Sequence, residues 1–148
     1  MVFHNAGLLS RVCGFHQVMS AYGIDDYEER TFYSAPDSLA DAKFFLKTFL
    51  KKFPRTTLIA ADSDGSAAMI HAAALELKVK CPAQIALTGF GNVTPLPVAS
   101  VDQNPVRQGE LAARYLIEYA LTGEWTAPLC TRVETSLVNV ERIPIRFN

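Results

Sequence analysis

The amino-acid sequence predicts an α/β fold, a parallel sheet with helices on both faces. Two observations predict it. Apolar runs of strand length alternate with amphipathic stretches of helical period at least three times along the 148 residues. One of those runs, Leu58-Ile-Ala-Ala61, is unbroken by polar residues, as a strand covered on both faces would be.

The elements follow in chain order. Met1-Val2-Phe3 reads as the stub of a strand. Leu8, Leu9, Val12, Phe15, Val18, Met19 and Tyr22 recur at helical spacing, and Gly23 supplies the left-handed stop. Arg30-Thr-Phe-Tyr33 is short and rich in β-favouring types, and is expected to be a strand. Ser38 and Asp41 have the spacing of an N-terminal cap, and the helix they open runs through Ala42, Phe45, Leu46, Phe49 and Leu50 to a stop at Pro54. Residues 57–61 form the next strand, residues 66–77 an Ala-rich helix, and residues 85–88 a further buried strand ending at Gly89. Asn104-Pro105 opens a helix that runs to Leu121 and is stopped by Thr122-Gly123. Residues 131–140 and 143–146 read as extended.

Composition narrows the class. The chain is 49% hydrophobic and 20% charged with a net charge of −1, enough apolar material for one core. Counterion release on nucleic acid needs several clustered cations, and the sole basic tract, Lys51-Lys-Phe-Pro-Arg55, reads as a solvated helix end. Cys13, Cys81 and Cys130 have neither disulfide-framework nor metal-ligand spacing with His4, His16 or His71, so no metal and no cofactor are expected. No charged segment followed by an apolar core opens the chain, and no apolar run has membrane-spanning length. The expectation is a cytoplasmic protein.

In an open parallel sheet, ligands bind beyond the carboxyl ends of the strands. The polar residues there are Ser10 and Arg11, then Tyr33, Ser34 and Asp37, then Asp62, Ser63 and Asp64, then Gly91, Asn92 and Thr94. Carboxylates, a hydroxyl, an amide and one forked guanidinium suit a polyhydroxylated ligand. Plainer roles fit the same residues: Ser63 and Asp64 suit capping of the following helix, Tyr33 suits the core, and Asn92 suits a turn.

One motif points elsewhere. Asp62-Ser-Asp-Gly-Ser66 resembles the nucleophile loop of haloacid-dehalogenase-type phosphatases, in which paired aspartates attack phosphorus at a Mg²⁺ site. The late acidic pair of that family is missing, since residues 85–101 contain no carboxylate. No phosphate-cradling glycine motif and no esterase elbow occurs, so a non-enzymatic role is expected.

Four stretches, in register across most of the chain, resemble the lactose/galactose-repressor family of bacterial transcriptional regulators. Arg11-Val-Cys-Gly-Phe15 is similar to its "R-x-x-G-F" helix start. Thr57-Leu-Ile-Ala-Ala-Asp-Ser-Asp64 is similar to "T-A-hydrophobic-x-A-x-N-D". Lys80-Cys-Pro-Ala-Gln-Ile-Ala-Leu-Thr-Gly-Phe90 is similar to "x-V-P-x-D-I-x-V-x-G-F-D-D", and Ala99-Ser-Val-Asp-Gln103 to "T-T-V-x-Q" before a helix bearing Gly109.

The resemblance implies a periplasmic-binding-protein-like core of two lobes that binds an effector and dimerises. Residues 1–92 would be the second lobe, 93–104 a crossing segment, 105–123 a helix returning to the first lobe, and 124–148 extended segments crossing back. The first lobe and the helix-turn-helix head are not expected within this chain, so operator DNA would be met only through a domain outside it. The site it implies comprises Arg11, Tyr33, Ser63, Asp64, Gly91, Asn92 and Gln103. Ser63 and Gly91 stand where the family has an effector-contacting Asn and Asp. The loop Gly91-Asn-Val-Thr-Pro-Leu96 also resembles the "G-N-T-P-L" of trehalose-operon repressors, whose effector is a sugar phosphate. A carbohydrate or sugar-phosphate effector and a homodimer are therefore the expected partners, with no membrane. The alternatives are a stand-alone sugar-binding module and a haloacid-dehalogenase-like phosphatase using Asp62 and Asp64.

Overall fold

A computed structural model describes residues 9–33, 36–93, 95–96 and 98–143. The expected strand at Met1-Val2-Phe3 and the extended residues beyond Ile143 lie outside them, as do Ser34 and Thr94. Four helices are described, α1 (Leu9–Ala21), α2 (Leu39–Lys52), α3 (Asp64–Glu76) and α4 (Pro105–Thr122). The strands are β1 (Leu58–Ala60), β2 (Ala86–Thr88), β3 (Ser100–Asp102) and β4 (Ser136–Val138).

Local chemistry explains the helix ends. Ser38 caps α2 by accepting a hydrogen bond from the Asp41 amide, and Lys51 and Lys52 in the last turn complement the helix dipole. Ser63 caps α3 in the same way through the Ser66 amide. Pro105 occupies the start of α4, where its missing N–H costs nothing, and Gly123 ends that helix at φ +73°.

β1 and β2 pair in parallel, Ile59 opposite Leu87. The chain then continues beside the next segment: Thr88 bridges Ala99 in parallel, and the amides of Gly89 and Gly91 donate to the carbonyls of Ala99 and Val101. β4 adds antiparallel to β3, with Leu137 opposite Val101. Alternation sorts the faces. Ile59 and Leu87 are buried in the core with Ala42, Leu46 and Phe49 of α2 and Ala67, Ile70, Ala73 and Ala74 of α3. Ala60 and Thr88, on the other face, border a cavity of about 280 Å³ with Arg11 and Phe15 of α1. Helices therefore flank the parallel strands on both sides, as the sequence predicts.

One expected element differs. In the stretch 30–33, only Phe32 makes a β-bridge. Turn bonds from Arg30 to Tyr27 and from Thr31 to Glu28 hold the preceding backbone, and the Phe32 ring packs edge-on against Phe45 and Phe49. The β-favouring aromatic contributes to the core from a loop instead of a strand.

α4 contrasts with the other helices. None of its residues is buried; Leu116 is 61% exposed and Ile117 58%. Its contact with the following chain is partial: Trp125 meets Tyr119 edge-on, and Leu111, Ala112 and Tyr115 line a cavity shared with Pro128 and Val133.

Candidate functional site

The carboxyl ends of β1 and β2 carry the site. β1 ends in Ala61-Asp62-Ser63, which turns directly into α3, and β2 ends in Gly89-Phe90-Gly91-Asn92, which runs beside β3. Arg11 reaches this edge from the first turns of α1. Its Nη1 donates to the Asp62 carbonyl at 2.9 Å, and its guanidinium lies 3.7 Å above the centre of the Phe90 ring. Both contacts hold the guanidinium in place, and its other N–H donors make no hydrogen bond among the described residues.

Ser63 is half-buried beside it, its hydroxyl between the Ser66 amide and Asp62 Oδ1 at 3.2 Å each. Asp62 is itself buried. Asn92 adopts a left-handed conformation at φ +52°. Its amide donates to Ser100 Oγ and its Nδ2 donates to Asp102 Oδ2 at 2.9 Å. Asp102 also accepts from the Asn104 amide, and these two bonds hold its carboxyl below the usual range, the Asn104 bond being the stronger cause. Gly91 is buried at φ +123°, a conformation that side chains rarely adopt. An aspartate there would be strained, which accounts for glycine at a position where the resemblance leads one to expect a carboxylate.

Asp64 behaves differently from an open-cleft residue. It is 1% exposed, and both carboxylate oxygens already accept bonds: Oδ1 from the Ser100 hydroxyl at 2.7 Å and Oδ2 from the Val93 amide at 2.8 Å. Direct effector contact, expected from the sequence, has no exposed oxygen to use in this conformation. Gln103 follows β3, and its carbonyl accepts from the Gln108 side chain. Tyr33 is 54% exposed and donates to Glu28; desolvation first, and then that carboxylate, raises its pKa. The structure thus joins Arg11, Ser63, Asp64, Gly91 and Asn92 along one edge. Tyr33 and Gln103 make their described bonds elsewhere.

Three participants were not singled out from sequence: Phe90, Ser100 and Asp102. Phe90 belongs to the Gly-Phe that ends the β2 stretch, and Ser100 and Asp102 to the stretch leading to Gln103, so both motifs contained the signal. In the Asp62-Ser-Asp-Gly-Ser66 loop, Asp62 and Asp64 are both buried, and both carboxylate oxygens of Asp64 accept bonds from the protein.

The periplasmic binding protein-like domain family matches residues 5–140. A search of the curated proteins finds no match. Among solved structures, the chain is similar to a LacI-family transcriptional regulatory protein from Corynebacterium glutamicum at 26% identity and a TM-score of 0.67, covering 93% of this chain and 53% of that one. It is also similar to a LacI-family regulator from Enterococcus faecalis solved with ribose, at 19% identity and a TM-score of 0.70, covering 93% of this chain and 50% of that one. A third is the transcriptional regulator CelR in complex with cellobiose, at 22% identity and a TM-score of 0.69, covering 88% of this chain and 41% of that one. The chain spans about half the length of these proteins or less. Its match over nearly all the described residues, and the strand edge just described, place it in one family: the chain belongs to the periplasmic binding protein-like domains.

Proposed function

We propose that this chain is the effector-binding and dimerisation part of a carbohydrate-responsive transcriptional regulator that works in the cytoplasm. The observation that carries the reading is the posture of Arg11, set by the Asp62 carbonyl and the Phe90 ring at the ligand-binding edge of the sheet. Its unused donors, the Ser63 hydroxyl and Asn92 suit the vicinal hydroxyls of a sugar or sugar derivative. Gly91 leaves room there for the ligand, while Tyr33 and Gln103 would complete the site once the first lobe closes over it. In this reading residues 1–92 form one lobe, 93–104 the crossing, 105–123 the helix that meets the other lobe, and 124–148 the return. Closure around effector would alter the geometry of a DNA-binding head carried outside this chain. The proteins solved with cellobiose and ribose support a carbohydrate as effector.

Calorimetry with cellobiose, ribose and their phosphates tests this. A ligand at about a hundredfold its Kd raises stability by about 2.7 kcal/mol, a clear increase in melting temperature. No shift with any of these at millimolar concentration would count against carbohydrate recognition by this chain.

A further inference from the structure

Asp64, Ser100 and the Asn92-Val93 backbone form a closed ring. The Asn92 amide donates to Ser100 Oγ at 3.1 Å, Ser100 Oγ donates to Asp64 Oδ1 at 2.7 Å, and the Val93 amide donates to Asp64 Oδ2 at 2.8 Å. The ring joins three separate pieces of chain: the start of α3, the loop after β2, and β3. Two more bonds tighten it, from the Asp64 amide to the Phe90 carbonyl and from Asn92 Nδ2 to Asp102. Gly89 lets the pieces approach, since a Cβ there would stand 2.2 Å from Asp64 Oδ1.

We infer that Asp64 and Ser100 are positioning residues: they key the loop that presents Asn92 to the location of β3, so that a shift of β3 is felt at Asn92. The inference rests on the reading that Asn92 faces the effector. Its physical basis is that a fully buried carboxylate must have its lone pairs satisfied. Displacing β3 would remove Ser100 from Asp64 and also remove the acceptor of the Asn92 amide. The two bonds share one hydroxyl and are lost together.

Amide hydrogen exchange on the unliganded full chain tests it. Ser100→Ala should speed exchange at Asn92 about tenfold or more, with Ile70 and Ala73 of α3 unchanged, and Ser100→Thr should restore slow exchange. Asp64→Asn, which keeps the shape but offers one acceptor for two donors, should speed exchange at Asn92 or Val93. Unchanged exchange at Asn92 in Ser100→Ala would overturn the inference, as would a parallel rise across α3, which is the sign of general destabilisation. Asp64→Asn that abolishes sugar binding while leaving both amides protected would instead make Asp64 a ligand contact, and would also overturn it. Because exchange is measured without sugar, its failure is separable from failure of the carbohydrate reading, which the calorimetry decides.

Discussion

The guanidinium carbon of Arg11 stands 3.7 Å from the centre of the Phe90 ring, while one of its nitrogens is bonded to the Asp62 carbonyl. A cation at an exposed aromatic face contributes about 0.5–1 kcal/mol, and a hydrogen bond from a charged donor about 1.5–3 kcal/mol. A half-buried side chain with both contacts contributes to the fold, and in the proposed function its remaining donors would meet the sugar. Arg11→Ala should therefore lower the unliganded protein's stability by about 1–3 kcal/mol in denaturant titrations, and weaken sugar binding tenfold or more. Arg11→Lys should restore little of either, since the ammonium has no plane to stack. An unaltered unfolding midpoint in Arg11→Ala would show that these contacts carry no stability.

Gly89 has no room for a side chain. A methyl group there would meet Asp64 Oδ1 at 2.2 Å and the Asp64 Cα at 3.1 Å, and the second of these is backbone that cannot rotate away. Overpacking of this kind costs about 1–3 kcal/mol. Gly89→Ala should lower the unfolding midpoint accordingly, whereas Gly14→Ala, with nothing within 4 Å, should not lower it. Equal effects at the two sites would contradict the packing described here.

Asp102 titrates below the ordinary carboxylate value, chiefly through the Asn104 amide and then through the Asn92 side chain. A depressed folded-state pKa stabilises the fold at pH above the unfolded value of about 3.9, and that contribution disappears as pH falls through the folded value. The carboxyl carbon shift of Asp102 should report a midpoint under 3.9, about the model-peptide value. In Asn92→Ala the midpoint should rise part of the way back. A midpoint insensitive to Asn92→Ala would mean that the bond seen here is not kept in solution.

α4 keeps several large apolar side chains exposed. Leu116, Ile117 and Tyr119 are 61, 58 and 48% exposed, and burying such a side chain is worth about 1.5–3 kcal/mol. We expect two copies to associate through this helix at micromolar concentration, by docking or by exchange of the C-terminal segment. Sedimentation equilibrium should show a dimer that Leu116→Glu dissociates. A stable monomer would refute the prediction.

The buried state of Asp62 and the double engagement of Asp64 lead to a negative expectation. With Mg²⁺ the protein should hydrolyse a generic phosphomonoester no faster than buffer does, and Asp62→Asn should leave that rate unchanged. Magnesium-dependent turnover that disappears in the variant would overturn the regulator reading.

The sequence by itself determined the four α-helices, their ends and the parallel pair β1 and β2, but not β3 or its antiparallel pairing with β4. Those depend on local physics: the apolar period of α2, the hydroxyls of Ser38 and Ser63 at their caps, Pro105 at the start of α4, and glycines 23 and 123 at positive φ. It also placed Arg11, Ser63 and Asn92 at one edge, because the ends of parallel strands share an edge. Only the tertiary structure decided what each side chain does there. The pattern Ser63-Asp64 suits a cap, a clamp or a ligand contact equally well, and the bond that Asp64 receives from Ser100, 36 residues away in sequence, is visible only in the fold. Phe32 likewise has a strand's composition, yet the rings of Phe45 and Phe49 draw it into the core from a loop. Bonds between distant residues leave no periodicity in the sequence, so their geometry appears only when the chain has folded.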